Sequence, residues 1–266
     1  MTNRKSNLDK DNSILSVSSR NFAAEWLLLS LVILSLIAPG CDSPTSVEEE
    51  VQGVTLQGID ISHHNIDDYS LVDWSQVRNA GYTFAFVKAT DGYNSCWIDP
   101  TFSTNMEHGR RAGMLMGAYH YARPDLNRDA MVEANCFLRV AGQYLREGYL
   151  RPVLDVETGA WLGKDMLTNW VHVWMTTVKN RTGIEPIFYT YSNFTNNFNV
   201  SLTQYNLWIA HYTRDPEKPP DPGIWDTWDF WQYTDQGSAP GVSDPTIDLN
   251  IFNGDMSRLQ TEFAIN

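Results

Sequence analysis

The chain has 266 residues, 42% hydrophobic and 12% aromatic, which suits one large α/β domain or two small ones. Its 32 acidic against 19 basic residues give a net charge of −13, which repels phosphate and argues against nucleic acid as a partner. An anionic polymer would have to be held locally, by shape, stacking and hydrogen bonds.

The N-terminus reads as a leader. Arg4, Lys5, Lys10 and Arg20 precede an apolar stretch from Trp26 to Ala38, which is short for a membrane span, and then Pro39-Gly40-Cys41. The pattern predicts a signal peptide over residues 1–40 and resembles the bacterial lipoprotein signal, with Cys41 lipidated as the new N-terminus. Residues 41–53 are polar and acidic and read as a flexible tether, leaving 54–266 as one catalytic domain. The expected location is the bacterial cell envelope, periplasmic or surface-exposed, with a membrane anchor through Cys41. Two cysteines remain, Cys96 and Cys136. Without a framework or metal spacing they read better as buried free thiols than as a disulfide.

From residue 56 onward, short apolar runs alternate with amphipathic segments. Strands are expected over Leu56–Ile61, Tyr82–Ala89, Met114–Tyr121, Arg151–Val156 and Ile187–Tyr191. Helices are expected over Val72–Ala80, Phe102–Ala112, Asp129–Glu147 and Lys164–Thr182, each followed by a glycine. After Ser192 at most a brief helix fits. Leu207–Ala210, Asp229–Tyr233 and Thr246–Leu249 are strand candidates joined by Pro/Gly/Asp-rich loops. Five strand–helix units plus three strands give eight strands and a parallel sheet closed into an incomplete or flattened (β/α)-type barrel. An open doubly wound sheet is the alternative, but no Gly-rich phosphate turn follows the first strand.

In such barrels the chemistry gathers at the C-terminal ends of the strands. Asp155-Val156-Glu157 ends the fourth strand, and residues two apart on a strand share a face, so both carboxyls project together. Crowding pushes one toward its protonated form, and a protonated carboxyl beside an ionised one can break a glycosidic bond. The spacing is weak alone, since about four such triplets arise by chance in a chain this acidic. The other strand ends add Asp60 and Asp248, Lys88, and the rings of Tyr121, Tyr189, Tyr191, Trp208, Tyr212 and Trp231. Aromatic faces stack on sugar rings and carboxylates accept from hydroxyls and N–H groups. Asp60 could instead cap a loop, and Tyr119, Tyr121, Trp231 and Tyr233 could be core. The histidines match no zinc signature, so neither metal nor cofactor is expected.

Seven segments, in this order, resemble glycoside hydrolase family 25, the lysozymes of the Chalaropsis and phage-endolysin type. They are Gly58-Ile59-Asp60-Ile61-Ser62-His63-His64, the run Tyr82 to Gly92, Gly117 to Pro124, Pro152 to Glu157, Leu207 to Tyr212, Trp231-Gln232-Tyr233 and Ile247-Asp248-Leu249-Asn250. The resemblance implies a flattened barrel of five strand–helix units plus three strands. It also implies muramidase activity on peptidoglycan glycan strands, by a monomer without cofactor. By position, Glu157 matches the family's proton donor, Asp155 the second catalytic carboxylate, and Asp60 and Asp248 two further acids of the cleft. Asp91 stands where Glu is common, and His64-Asn65 departs from the usual loop. An Asp-x-Glu strand end also serves chitinase-like chemistry, and a non-catalytic glycan-binding lipoprotein would be expected to lose Glu157 or Asp60.

Overall fold

The computed structural model describes residues 55–66, 71–213, 215 and 218–266. The expectations for the leader, Cys41 and the tether lie outside the described residues.

Among the described residues nine strands form one sheet: β1 (Leu56–Ile61), β2 (Phe84–Asp91), β3 (Trp97–Ile98), β4 (Leu115–Tyr121), β5 (Val153–Asp155), β6 (Ile187–Tyr191), β7 (Leu207–Ala210), β8 (Phe230–Gly237) and β9 (Ile247–Phe252). The order β1-β9-β8-β7-β6-β5-β4-β2 closes through the β1–β2 pairing into an eight-stranded barrel, with the two-residue β3 added antiparallel to β2. The barrel was expected; two details differ. The short β3 was not anticipated. And β9 runs antiparallel to both β1 and β8, so the sheet is mixed rather than wholly parallel. A hairpin needs only a short loop, whereas a parallel return needs a crossover, and the helix-poor 238–246 segment provides none.

Among the described residues, four α-helices of six residues or more cover the outside: α1 (Trp74–Asn79), α2 (Phe102–Arg111), α3 (Ala130–Ala141) and α4 (Lys164–Thr182). Asp73 and Asp129 cap α1 and α3, their carboxyls accepting backbone N–H groups of the first turn. Gly183, at φ 76°, ends α4 in the left-handed conformation that a side chain disfavours. After β6 the fifth unit has only 3-10 turns, Ser192–Asn197 and Val200–Gln204.

Strand alternation sorts the apolar side chains into two layers. Phe84, Phe86, Val153, Ile187, Trp208, Phe230 and Phe252 point inward and fill the barrel. Gly58 makes room for this packing, because a Cβ there would stand 2.3 Å from the Phe84 ring. Leu259 and Phe263 of the C-terminal turns join the interior cluster, with Phe263 5.1 Å from Phe230 between ring centres. Residues of opposite phase, such as Ile59, Val87, Leu154 and Ile209, pack outward with the helix residues Val77, Met106, Phe137 and Trp174. The β8–β9 hairpin leans on the start of α1, where Asp73 N–H donates to the Gly241 carbonyl at 2.8 Å.

Cys96 and Cys136 are joined in a disulfide, Cα to Cα 5.6 Å, correcting the preference for free thiols. It ties the loop after β2 to α3. The pairing spans 40 positions, and nothing local in the sequence announces it.

Candidate active site

The inward stripe of each strand becomes polar at its last turn. Asp60 ends the stripe of β1, Tyr119 and Tyr121 that of β4, Asp155 that of β5 and Tyr189 that of β6. Because β9 is reversed, its first inward residue, Asp248, reaches the same mouth. Here lies a basin of about 380 Å³ whose lining includes Asp60, Asp155, Glu157 and Asp248. Glu157 lies just beyond β5. The extended path continues, with Val156 N–H donating to the Tyr189 carbonyl at 3.0 Å, and Glu157 lines the basin with Asp155.

A β-bulge shapes the β2 side. Lys88 pairs with Tyr119 and Thr90 with His120, so Ala89 is the extra residue. Side chains three apart on a regular strand face opposite ways; the bulge turns both Lys88 and Asp91 to the basin, where they form a 2.8 Å ion pair. The ammonium of Lys88 lies 4.6 Å from the centre of the Tyr121 ring. It is the one ammonium among the lining residues, against five carboxyls.

Asp60 is buried and accepts two side-chain hydrogen bonds, from Asn250 Nδ2 at 2.7 Å and Gln232 Nε2 at 2.9 Å. Those donors are themselves fixed. Trp208 Nε1 donates to Asn250 Oδ1 at 2.8 Å, and the Tyr189 and Tyr212 hydroxyls donate to Gln232 Oε1 at 2.8 and 3.1 Å. Burial pushes the Asp60 carboxyl up to about 6, against the pull of the two donors. Asp248 rises to about 9, through burial first and then the charge of Asp60.

Asp155 and Glu157 line the basin side by side, and burial raises both. The Glu157 charge pushes Asp155 further up, while Lys88 pulls both down. Both carboxyls therefore hold a proton more tightly than an exposed acid does. Asp155 is only 5% exposed, and its Oδ1 is buried without a hydrogen-bond partner. A buried, unsatisfied carboxyl oxygen is costly unless something else supplies a donor.

The remaining sequence candidates divide. Tyr121, Tyr189, Trp208, Tyr212 and Lys88 line the basin, and Tyr191 lines an adjoining hollow. Trp231 does not. It is 1% exposed on the outward face of β8, its Nε1 donating to the His211 carbonyl. Alternation is the reason: Phe230 and Gln232 point inward, so Trp231 points outward. Gln232, Ser62, His64 and Asp91 were not assigned to the site yet line it, and Asn250 supports it from behind. The period of two from Asp248 to Asn250 could have found the last. Among the described residues no cluster of His, Cys, Asp or Glu is arranged to hold a metal ion.

A barrel mouth with two adjacent buried carboxyls, further acids and aromatic walls is the equipment of a glycosidase. Comparison with known proteins agrees. The model of glycosyl hydrolases family 25 matches residues 59–242. Lysozyme M1 of Streptomyces globisporus is 33% identical over 234 residues, 84% of this chain and 76% of that protein. The crystal structure of the bacterial lysozyme from Streptomyces coelicolor superposes with a TM-score of 0.69 at 32% identity, covering 79% of this chain and 97% of that one. The muramidase from Acremonium alcalophilum gives 0.66 at 27%, covering 77% and 97%. The chain belongs to glycosyl hydrolases family 25.

Proposed function

We propose that the protein is a lysozyme, an N-acetylmuramidase that hydrolyses the β-1,4 bond between N-acetylmuramic acid and N-acetylglucosamine in peptidoglycan, with retention through the substrate's own 2-acetamido group. Family membership and the lysozyme relatives support the activity. The observation that carries the mechanism is the placement of Asp155 beside Glu157 in the lining of one basin, two residues apart at the end of one strand. An acetamido N–H of a sugar in that basin is a donor for the Asp155 carboxylate.

In this reading the acetamido N–H binds Asp155 and stabilises its ionised form. Glu157, whose burial favours its protonated form, then presents a proton to the glycosidic oxygen. As the C1–O bond breaks, Glu157 gives that proton to the leaving sugar, and the acetamido carbonyl oxygen closes on C1 from the other face. Asp155 holds the positive charge that develops on the acetamido group, and Asp60 adds a second negative charge to the basin. Water then adds at C1, surrendering a proton to Glu157, so the product keeps the β configuration.

Digestion of purified peptidoglycan should yield new muramic-acid reducing ends, appearing first as the β anomer by NMR. Reducing ends on N-acetylglucosamine instead would favour a chitinase-like specificity. Glu157→Gln should fall by about 10²–10⁴ in kcat while keeping its fold; full activity in that variant would remove Glu157 as the acid.

The location rests on the N-terminal sequence. The proposed arrangement is a monomer held at the bacterial envelope by lipid on Cys41, residues 41–53 linking the anchor to the catalytic domain at 54–266. Among the described residues no helix is long and apolar enough to cross a membrane. Mass spectrometry of the mature N-terminus tests the anchor: a diacylglyceryl mass on Cys41 supports it, and an unmodified terminus elsewhere removes it.

A further inference from the structure

Lys88 and Asp91 both reach the basin only because β2 departs from regular strand geometry. An unbroken strand would send them to opposite faces, and the extra residue at Ala89 brings both inward. A one-residue slip would undo this, turning the later side chains to the other face. What holds the register lies on the outer side of the barrel wall.

Thr90, His120 and Glu133 are fully buried there. Thr90 and His120 are the first register partners after the bulge, where the ladder resumes. Their side chains are joined as well, Thr90 Oγ1 lying 2.8 Å from His120 Nδ1. The imidazole is itself fixed. Its Nε2 lies 2.8 Å from Glu133 Oε2 on α3, and its ring stacks on Trp174, centres 5.7 Å and planes 14° apart. A carboxylate oxygen only accepts, so the neutral ring donates from Nε2 and takes the Thr90 hydroxyl proton at Nδ1. Glu133 Oε2 also accepts the Arg123 backbone N–H at 3.1 Å. Its carboxyl abuts Gly92, where a Cβ would come within 2.4 Å.

The set therefore grips the chain on both sides of two basin residues. Thr90 and Gly92 flank Asp91, while His120 and Arg123 bracket Tyr121. Asp91 and Tyr121 are register partners, and Gly92 N–H donates to the Tyr121 carbonyl at 2.9 Å. The Lys88 ammonium lies against both, in ion-pair contact with Asp91 and over the Tyr121 ring. None of the three outer side chains lines the basin.

We infer that Thr90, His120 and Glu133 are positioning residues of the reaction, registering from the outer face the bulge that holds Lys88 among the basin acids. Lys88 is the one positive charge there that offsets the crowding of carboxyls around Asp155 and Glu157. Misplacing such a group by about 1 Å costs up to about 10²-fold in rate. The inference rests on the muramidase reading for its effect on rate and adds an outer supporting layer to it.

The test is a set of variants of the full chain, assayed on peptidoglycan where circular dichroism shows each one folded. Thr90→Val keeps the branched shape and removes the hydroxyl, whereas Thr90→Ser keeps the hydroxyl. Glu133→Ala removes the accepting oxygen, whereas Glu133→Gln keeps it. Thr90→Val and Glu133→Ala should lose about tenfold or more in kcat/KM, and the two conservative variants less than about threefold. In a Lys88→Met background, Thr90→Val should cost less than about twofold further, because the group it positions is gone. An equal cost in both backgrounds would overturn the inference. So would unchanged kcat/KM in Thr90→Val, or equal losses in the conservative and disruptive variants. A crystal structure of Thr90→Val reads placement without reference to activity. Lys88 and Asp91 should part or leave the basin, and an undisturbed pair would overturn the assignment. A wild-type enzyme that leaves peptidoglycan intact would instead refute the muramidase reading, and that crystal structure would still decide the positioning.

Discussion

Asp60 and Asp248 are direct partners across the antiparallel β1–β9 pair, two acids opposed on the inner face of one barrel wall. Like charges so placed repel, and burial compounds the cost. Both carboxyls are held above the ordinary range, Asp60 at about 6 and Asp248 at about 9. The folded chain therefore binds these protons more tightly than the unfolded chain, and stability falls as pH rises from about 4 toward 9. Asp248→Asn removes the larger cost. At pH 8 it should stabilise by roughly 1–3 kcal/mol, several degrees in Tm, and the gain should vanish near pH 4. Thermal melts at the two pH values check this; a lower Tm at pH 8 would contradict it.

Asn250 controls the ionisation of Asp60 without lining the basin itself. Its amide donates to the Asp60 carboxylate, and removing that donor disfavours the charged form. In Asn250→Ala the acid limb of the kcat/KM profile, placed near pH 6 by Asp60, should move upward by about one pH unit. Activity at pH 6 should then fall more than activity at pH 8. A uniform loss across pH would mean that Asn250 matters only for packing.

The Cys96–Cys136 bridge restrains the loop that follows Lys88 and Asp91. Closing 40 residues of chain should contribute about 2–4 kcal/mol by limiting the unfolded state. Cys96→Ser with Cys136→Ser, or reductant on the wild type, should lower Tm accordingly. Identical denaturant midpoints with and without reductant would show that the bridge does not form.

Glu133 is a fully buried carboxyl on α3, which accepts from the Arg123 backbone at 3.1 Å and meets His120 Nε2 at 2.8 Å. Thr90 Oγ1 lies 2.8 Å from the other nitrogen of that ring. This outward-facing set holds together the ends of β2 and β4, whose inner faces carry Lys88, Asp91 and Tyr121. Glu133→Ala should destabilise by about 3–5 kcal/mol in urea unfolding, because it strands a buried histidine and an amide. A cost below about 1 kcal/mol would show that water replaces the carboxylate without penalty.

The sequence carried the local parts of this architecture and lost the non-local ones. β1, β6, β7 and α4 coincide with their expected bounds, since each is a run whose pattern lies within a few residues, with Gly163 and Gly183 flanking α4. β2 runs two residues further than expected, because its bulge breaks the period of two at Ala89. The disulfide and the pairing of β9 with β1 join segments far apart in the chain, and no short pattern encodes them. Asp60, Asp155 and Glu157 were legible as candidates because they stand at the ends of apolar runs, and Asp248 because it interrupts one at its start. Trp231 was misplaced because an aromatic residue within a recognised motif outweighed the alternation that assigns it to the outer layer.

The reversal of β9 has a practical consequence for anyone altering this scaffold. Seven strands point toward the mouth and one points away, so the β8–β9 hairpin overhangs the rim at the Asp248 end and rests on α1. Lengthening its tip beyond Gly241 would build a flap over the trough while leaving every strand in register, which makes that bend a natural point for grafting new selectivity.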